Sequence, residues 1–307
     1  MILDDFDARQ GSATSLLRTV IGVCLRELGG QITIAELIRL MSVVGVAASH
    51  TRTAVSRLKS KGLLVPGTVA GQSGYLLNPD AVPMLQRGDR RIFTFRQMAD
   101  GDPWCLLSFS IPEAQRHSRH QLRKRLGWIG CGTVATGLWI CPAFLTDEVQ
   151  EIVASLDLTE YVTVFITTTP LTSGSLLEAA GRWWDLDNLA TLHRAFLVGQ
   201  GGTAQGGTAQ GGTAQGGTAQ GDTAQGDTAQ GDTAQGGAAT ADGPRASFAR
   251  FIHAVDQWRI LPYLDPGLPP SALPPDWPGF DSVALFEHIR ARHEPRAHEF
   301  LLDAVTR

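Results

Sequence analysis

The sequence predicts an α+β protein of several domains, and three observations carry that class. Near the N-terminus three segments of helical periodicity precede two short strand-like runs. From Trp104 strands and helices alternate, and from Ser175 onward the pattern is helical, broken by a proline-rich stretch. At 307 residues the chain has room for two or three cores of ordinary size, and a hydrophobic content of 43% suits a globular protein.

In the first helical segment Leu16, Leu17, Val20, Ile21, Cys24, Leu25 and Leu28 recur at helical spacing, and Gly29-Gly30 ends the pattern. In the second, Thr33 to Glu36 has the form of a capping box, with Leu37, Ile38 and Met41 as its buried side. The third is expected from Ser49, as N-cap, to about Lys61, with Gly62 stopping it. At 100° per residue, Thr51, Ala54, Val55 and Leu58 fall on one side; Ser49, Arg52, Thr53, Ser56, Arg57 and Ser60 fall on the other. Two runs, Leu63 to Val65 and Gly74 to Leu77, follow, joined by "PGTVAGQS". Helix, helix, basic helix, hairpin is the order of a winged helix-turn-helix.

Net charge is −4, so nucleic-acid contact should be confined to one segment. Between Ser15 and Pro79 seven basic residues face two acids, and no acid occurs from Ser49 to Leu77. A helix that alternates arginine with serine and threonine lets backbone approach phosphates while arginine reaches base edges. The candidate DNA-binding residues are Ser49, Arg52, Thr53, Ser56, Arg57, Lys59, Ser60 and Lys61, with Thr68 and Gln72 on the wing. A solvated structural face is the alternative.

"WCLLSFSI" reads as a buried strand, Glu113 to about Leu126 as a helix, "CGTVA" and "LWIC" as strands turning at Thr136-Gly137, Asp147 to Ser155 as a helix and "VTVFITT" as a fourth strand. That βαββαβ order is ferredoxin-like. Its first helix holds Arg116, Arg119, His120, Arg123, Lys124 and Arg125 opposite an inner side of Ala114, Ser118, Leu122 and Leu126. A solvated face and an anion site for a phosphate-rich ligand both account for it; Arg116, Arg119 and Arg123 are the candidate effector residues.

The C-terminal part is expected as two helical segments, "LLEAAGRWWDLDNLATLHRAFL" and "RASFARFIHAVDQWRILPYL", then a proline-stiffened loop "DPGLPPSALPPDWPG" clamped by Trp277, then a last helix from Ser282 to Val305. Between the two segments GGTAQ repeats four times and GDTAQ three times, from Gly201 to Gln235. Five residues of this composition offer no large apolar side chain to stack, so disorder is expected rather than a solenoid. Such an insertion costs only ~1.5 kcal/mol in closure entropy. The domain expectation is 1–92, 98–170 and 171–307, with the insert at 200–243.

Cys24, Cys105, Cys131 and Cys141 are scattered with no C-x-x-C pair, which predicts buried thiols in a reducing cytoplasm and no structural metal. The acidic start, MILDDFDARQ, is unlike a signal peptide, and no apolar run reaches the roughly eighteen residues that span a bilayer, so a cytoplasmic protein is expected. No G-x-S-x-G, Walker loop, G-x-G-x-x-G or H-E-x-x-H occurs, so no catalytic residues and no cofactor are expected.

The basic helix with "SRLKSKGLL" before the hairpin, the segment "FSIPEAQRHSRHQLRKRL" and the stretch "LDPGLPPSALPPDWPG" together resemble the PaaX family, the repressors of phenylacetate degradation, from about Ser15 to Ala304. The repeat array is not part of that family's pattern. The resemblance implies a winged-helix N-terminal domain, a central domain similar to the CRISPR-associated small endoribonuclease, and a helical C-terminal domain. It implies a homodimer on palindromic operator DNA, released by an acyl-CoA effector such as phenylacetyl-CoA. It also puts the DNA-reading helix on Arg52, Thr53, Ser56, Arg57 and Lys59. Two alternatives stand beside it: a nuclease-like enzyme using the central domain, disfavoured because Ser108-Phe109-Ser110-Ile111 supplies no acid at the end of the first strand, and a winged-helix protein-interaction module.

Overall fold

The computed structural model describes residues 9–168, 170–201 and 243–306. The first helix, α1 (Ala13–Val20), is capped by the Ser12 side chain accepting from the Ser15 amide and passes into a π-helical turn, Ile21–Leu25. Gly29 and Gly30, both at positive φ, then reverse the chain into a short strand β1 (Gln31–Thr33) that the apolar pattern does not announce. Helix α2 (Ile34–Val43) opens on the expected capping box, in which the Glu36 amide donates to Thr33 Oγ1 at 3.2 Å and the Thr33 amide to Glu36 Oε2 at 2.8 Å. Two donors at the helix start are thereby satisfied.

Helix α3 (Ala48–Ser60) starts earlier than expected: its N-cap is Ala47, and Ser49 lies inside the helix, its carbonyl accepting from the Thr53 hydroxyl at 3.2 Å. The tight turn after α2, with Gly45 at positive φ, sets the entry angle and overrides the serine's capping preference. The C-terminus behaves as expected. Gly62 adopts φ +74 and the Leu63 amide reaches back to Leu58 O at 3.0 Å. The buried side of α3 is Thr51, Ala54, Val55 and Leu58.

The hairpin is longer than the sequence suggests. Strands β2 (Leu64–Val69) and β3 (Gln72–Leu77) pair antiparallel over their full length, so most of the "PGTVAGQS" segment is strand. Only Ala70 and Gly71 form the turn, both at positive φ, the geometry that matches strand twist in two-residue loops. Gly74 is obligatory in this register: a Cβ there would lie 2.6 Å from Ile32 O of β1, which pairs with β3 on its other side.

Helix α4 (Val82–Phe93) leads out of this unit to a four-stranded sheet of β4 (Trp104–Phe109), β5 (Gly132–Ala135), β6 (Leu138–Pro142) and β7 (Val162–Thr167) in the order β5-β6-β4-β7, all neighbours antiparallel. Helices α5 (Arg116–Trp128) and α6 (Thr146–Ser155) cover one face, on which Cys105, Leu107, Trp139 and Cys141 meet Leu122, Leu126, Val149 and Val153. Ala114, expected inside, is exposed because Glu113–Gln115 is a tight 3-10 turn and the α-helical phase begins only at Arg116.

Each of the two C-terminal segments expected as one helix is two. The first divides into α7 (Leu176–Trp183) and α8 (Leu186–Gly201), the second into α9 (Pro244–Trp258) and a single turn, α10 (Leu261–Leu264). The break at Trp184 has a tertiary cause: its extended backbone swings the indole against Trp104, where Nε1 donates to Gly130 O at 2.8 Å. The last helix, α11 (Gly279–Thr306), begins three residues before Ser282 and contains Pro295. Gln200 and Gly201, expected at the start of the insert, are the last residues of α8, and Gly243, expected at its end, is the N-cap of α9; the rest of the GGTAQ/GDTAQ array, for which disorder is expected, lies outside the described residues.

Three cores result. One lies under α5 and α6, and a second joins the opposite face of the sheet, through Trp104 and Ile140, to Trp184, Leu268 and Trp277. The largest is not confined to the N-terminal unit: Leu17, Ile21, Leu40, Val55 and Leu58 share it with Phe248, Ile252, Trp258 and Phe286 of α9 and α11. Among the described residues no single helix is long and apolar enough to cross a membrane.

Candidate nucleic-acid interface and its junction with the C-terminal helices

All ten residues picked from the sequence for DNA contact are exposed. On α3 the burial of Thr51, Ala54, Val55 and Leu58 turns Ser49, Arg52, Thr53, Ser56, Arg57 and Ser60 outward. The side chains differ in what holds them. Thr53 and Ser60 fold back on the helix, donating to Ser49 O and to Arg57 O at 2.8 Å, so they present short profiles over which a backbone can approach. Arg57 leans toward the start of α1, its Nη1 3.4 Å from Thr14 Oγ1. Lys59 Nζ lies 5.9 Å from the Tyr75 ring centroid and links the helix to the hairpin. Arg52 and Ser56 have no hydrogen-bond or ionic partner among the described residues. Thr68 and Gln72 sit in the last two pairs before the hairpin turn, opposite Ser73 and Val69.

Behind this surface a buried polar cluster ties α1 to α9. Asp256, 1% exposed, accepts from the Gly11 amide at 2.8 Å, from Ser15 Oγ at 2.6 Å and from Thr19 Oγ1 at 2.9 Å. Arg259 stands beside it, with Nη2 donating to Ser15 Oγ at 2.8 Å and Nε 3.4 Å from the carboxylate. The neighbouring Arg18 is pushed down to about 9, first by burial and then by the Arg259 charge. Farther along, Arg39 of α2 donates to Ala304 O at 2.6 Å, and His298 of α11 meets Glu27 at 2.9 Å. The helices that position α3 are thus gripped from the C-terminal side at several points.

The "DPGLP" stretch is a structural clamp. Asp265 accepts from the buried His193 ring at 2.9 Å and from the Gly267 amide at 2.8 Å. Gly267, at φ +73, lets the linker after α4 pass: a Cβ there would collide with Arg96 O. The Met98 amide donates to Gly267 O at 2.9 Å, and the Gln97 side-chain amide to Leu268 O. Trp277, buried as expected, packs edge-on against His193 with centroids 5.8 Å apart.

The arginines picked for effector binding are placed elsewhere. Arg119 is committed to Glu113 Oε2 at 2.8 Å and to Ile111 O, and Arg116 and Arg123 project into solvent; none of the three lines either junction cavity. Those cavities lie where α4, the central unit and the "LPYLDPG" turn converge, with volumes of about 320 and 490 Å³. Arg91 and Glu148, 3.4 Å apart, belong to both walls. The signal that could have found this place is "RGDRRIFTFR", residues 87–96, in which four arginines interleave with two phenylalanines. Among the described residues no group of three or more metal-ligating side chains is assembled. All four cysteines are buried free thiols; burial pushes Cys24 up, and hydrogen bonding to Cys141 with burial pushes Cys105 up.

Comparison with known proteins follows the three units. Residues 12–81 match the family model described as PaaX-like protein, residues 97–176 the PaaX protein central Cas2-like domain, and residues 231–303 the PaaX-like protein C-terminal domain. The transcriptional repressor PaaX of Escherichia coli (strain K12) is 25% identical over 189 residues, which are 61% of this chain; the match spans 59% of the repressor's length. The structure of the uncharacterized protein Rv0674 from Mycobacterium tuberculosis superposes with a TM-score of 0.54 at 22% identity, covering 91% of this chain and 95% of that one, a likeness of fold.

Proposed function

Because the chain belongs to the PaaX family, we propose that it is a DNA-binding transcriptional regulator, a repressor of an aromatic-acid catabolic operon of the phenylacetate type, and not an enzyme. The observation that carries the proposal is α3: one side is sealed into the core while the other offers serine and threonine hydroxyls, arginine and lysine cations and His50, and no acid, with an antiparallel hairpin directly after it. We read the N-terminal unit as a winged helix-turn-helix, with α2 and α3 as the helical pair and β2-β3 as the wing, and the central sheet as ferredoxin-like. Arg52 is then the side chain best placed to reach a base edge, Ser56 and Thr53 lie under the backbone, and Lys59 and Lys61 serve phosphates.

The working form is a homodimer, its two α3 helices entering successive major grooves about 34 Å apart. Support comes from β7, an edge strand on which Phe165 and Ile166 are more than half exposed. An uncovered apolar edge is a site for self-pairing. The effector is an aryl-acetyl-CoA thioester or its parent acid.

Fluorescence anisotropy on DNA from upstream of the gene, over a salt series, tests the reading. Tight binding whose affinity falls steeply with salt is expected. Absence of binding to every fragment, or binding indifferent to salt, would leave the protein-interaction alternative.

A further inference from the structure

We propose that the larger junction cavity binds an organic anion with a flat apolar body. The cavity, about 490 Å³, is of the size that holds small-molecule ligands. Its walls combine Phe95, Phe144 and Pro266 with Arg90, Arg91 and Arg96. The guanidinium of Arg96 lies over the Phe144 ring, 4.6 Å from its centroid, a ready-made edge against which a second planar group stacks. Two acids also line the space, but both are engaged: Glu148 with Arg91, and Asp265 with His193 and the Gly267 amide. Arg90 and Arg96 are exposed and have no ionic partner among the described residues, so the free charge of the cavity is positive.

The neighbouring cavity lacks this excess. Its Arg87 and Arg91 face Glu151 and Glu148 at 3.7 and 3.4 Å, its Arg125 is offset by Asp80, and its volume is smaller. On α5, Arg116 and Arg123 border neither cavity; Arg125 lines the smaller one, and the Trp128 ring is taken up by Lys124, whose Nζ lies 4.4 Å from its centroid.

Occupancy has a route to the N-terminal unit. Arg90 and Arg91 follow Asp89 on α4, and Asp89 holds Arg26, just beyond the π-helical end of α1, through two hydrogen bonds, one of 2.9 Å. The last carbonyls of α4 are held from the C-terminal side, Ile92 O by Trp258 Nε1 and Phe93 O by Arg290 Nη1, each at 2.9 Å. A ligand that draws Arg90 and Arg96 together pulls on a helix clamped at both ends. What binding does to DNA affinity rests on the regulator reading; the binding itself does not.

The test is calorimetric titration of the full chain, without DNA, with phenylacetate, phenylacetyl-CoA and CoA as separate probes. Binding of the acid, the thioester or both is expected, with CoA alone weaker than the thioester. Arg90→Ala/Arg96→Ala and Arg96→Glu should each weaken it by roughly tenfold or more. Arg116→Ala/Arg123→Ala should leave it unchanged. Unaltered affinity in the first two variants at unchanged melting temperature overturns the site, as do loss on replacing Arg116 and Arg123 instead, CoA binding as tightly as its aryl thioester, and binding of none of the three probes. If ligand binds while no DNA fragment does, the site stands and the regulator reading falls; DNA binding without ligand binding gives the reverse.

Discussion

Ser15 Oγ donates to Asp256 Oδ1 at 2.6 Å across 241 positions of sequence, and both residues are at most 1% exposed. Removing the carboxylate strands two buried hydroxyls and the buried Arg259 guanidinium, and frees the Gly11 amide at the edge of the site. Asp256→Ala should destabilise by about 3–5 kcal/mol, the cost of leaving a buried charge without its partner. Asp256→Asn keeps the shape and some acceptors and should cost less. Urea denaturation of both variants checks the ordering; an Asp256→Ala midpoint equal to wild type would contradict it.

If α3 reads base edges as proposed, Arg52→Ala should weaken operator binding by about 1–3 kcal/mol and relax preference at one base position. Lys59→Ala should weaken all sequences alike and lower the slope of log affinity against log salt by about one, as one phosphate contact disappears. Anisotropy on the operator and on single-base variants separates the two behaviours. If both substitutions change only the salt slope, α3 docks on the backbone without reading bases.

Gly267 and Gly101 both have positive φ, but only Gly267 has backbone in the way: a Cβ there would run into Arg96 O, whereas one at Gly101 would meet nothing within 4 Å. Gly101→Ala should therefore cost about 1–2 kcal/mol, the left-handed penalty alone. Gly267→Ala must also push the linker off the "DPGLP" turn and should cost clearly more. Equal thermal shifts in the two variants would show that the linker yields freely.

His253, on α9, hydrogen-bonds to the backbone of Val44 in the turn between α2 and α3, and burial lowers it below its ordinary value of 6.5. The unfolded chain then binds a proton more readily than the folded one. Stability is intact above pH 6.5 and declines as pH falls from there toward the folded value. Melting temperature measured from pH 8 down to pH 5 should fall more steeply for wild type than for His253→Gln. Parallel curves would mean that other groups carry the acid sensitivity.

Where local chemistry decided the outcome, the sequence was legible. The capping box at Thr33 and Glu36 and the four inward positions of α3 follow from hydroxyl, carboxylate and apolar spacing alone. Tertiary contact hid the rest. Ser49 has the right chemistry for an N-cap but the turn starts the helix before it, and Trp184 breaks a helical run to fill a space beside Trp104. The cavity was missed for a similar reason. A dense basic face such as that of α5 is conspicuous in sequence, whereas the pairing of Arg96 with Phe144 exists only after two segments 48 positions apart have met.

The core shared between α1–α3 and the pair α9 and α11 has a practical corollary for anyone wishing to re-target the proposed regulator. Phe248, Ile252, Trp258 and Phe286 fill the same interior as Leu17, Leu40 and Val55. A DNA-reading head transplanted from a distant relative would meet a mismatched seat, and the head expressed by itself would carry a raw apolar wound. If α3 reads operator DNA as proposed, new preferences are better sought by exchanging Arg52 and Ser56 in place than by building chimeras, and natural divergence at the seat should run in matched pairs on its two sides.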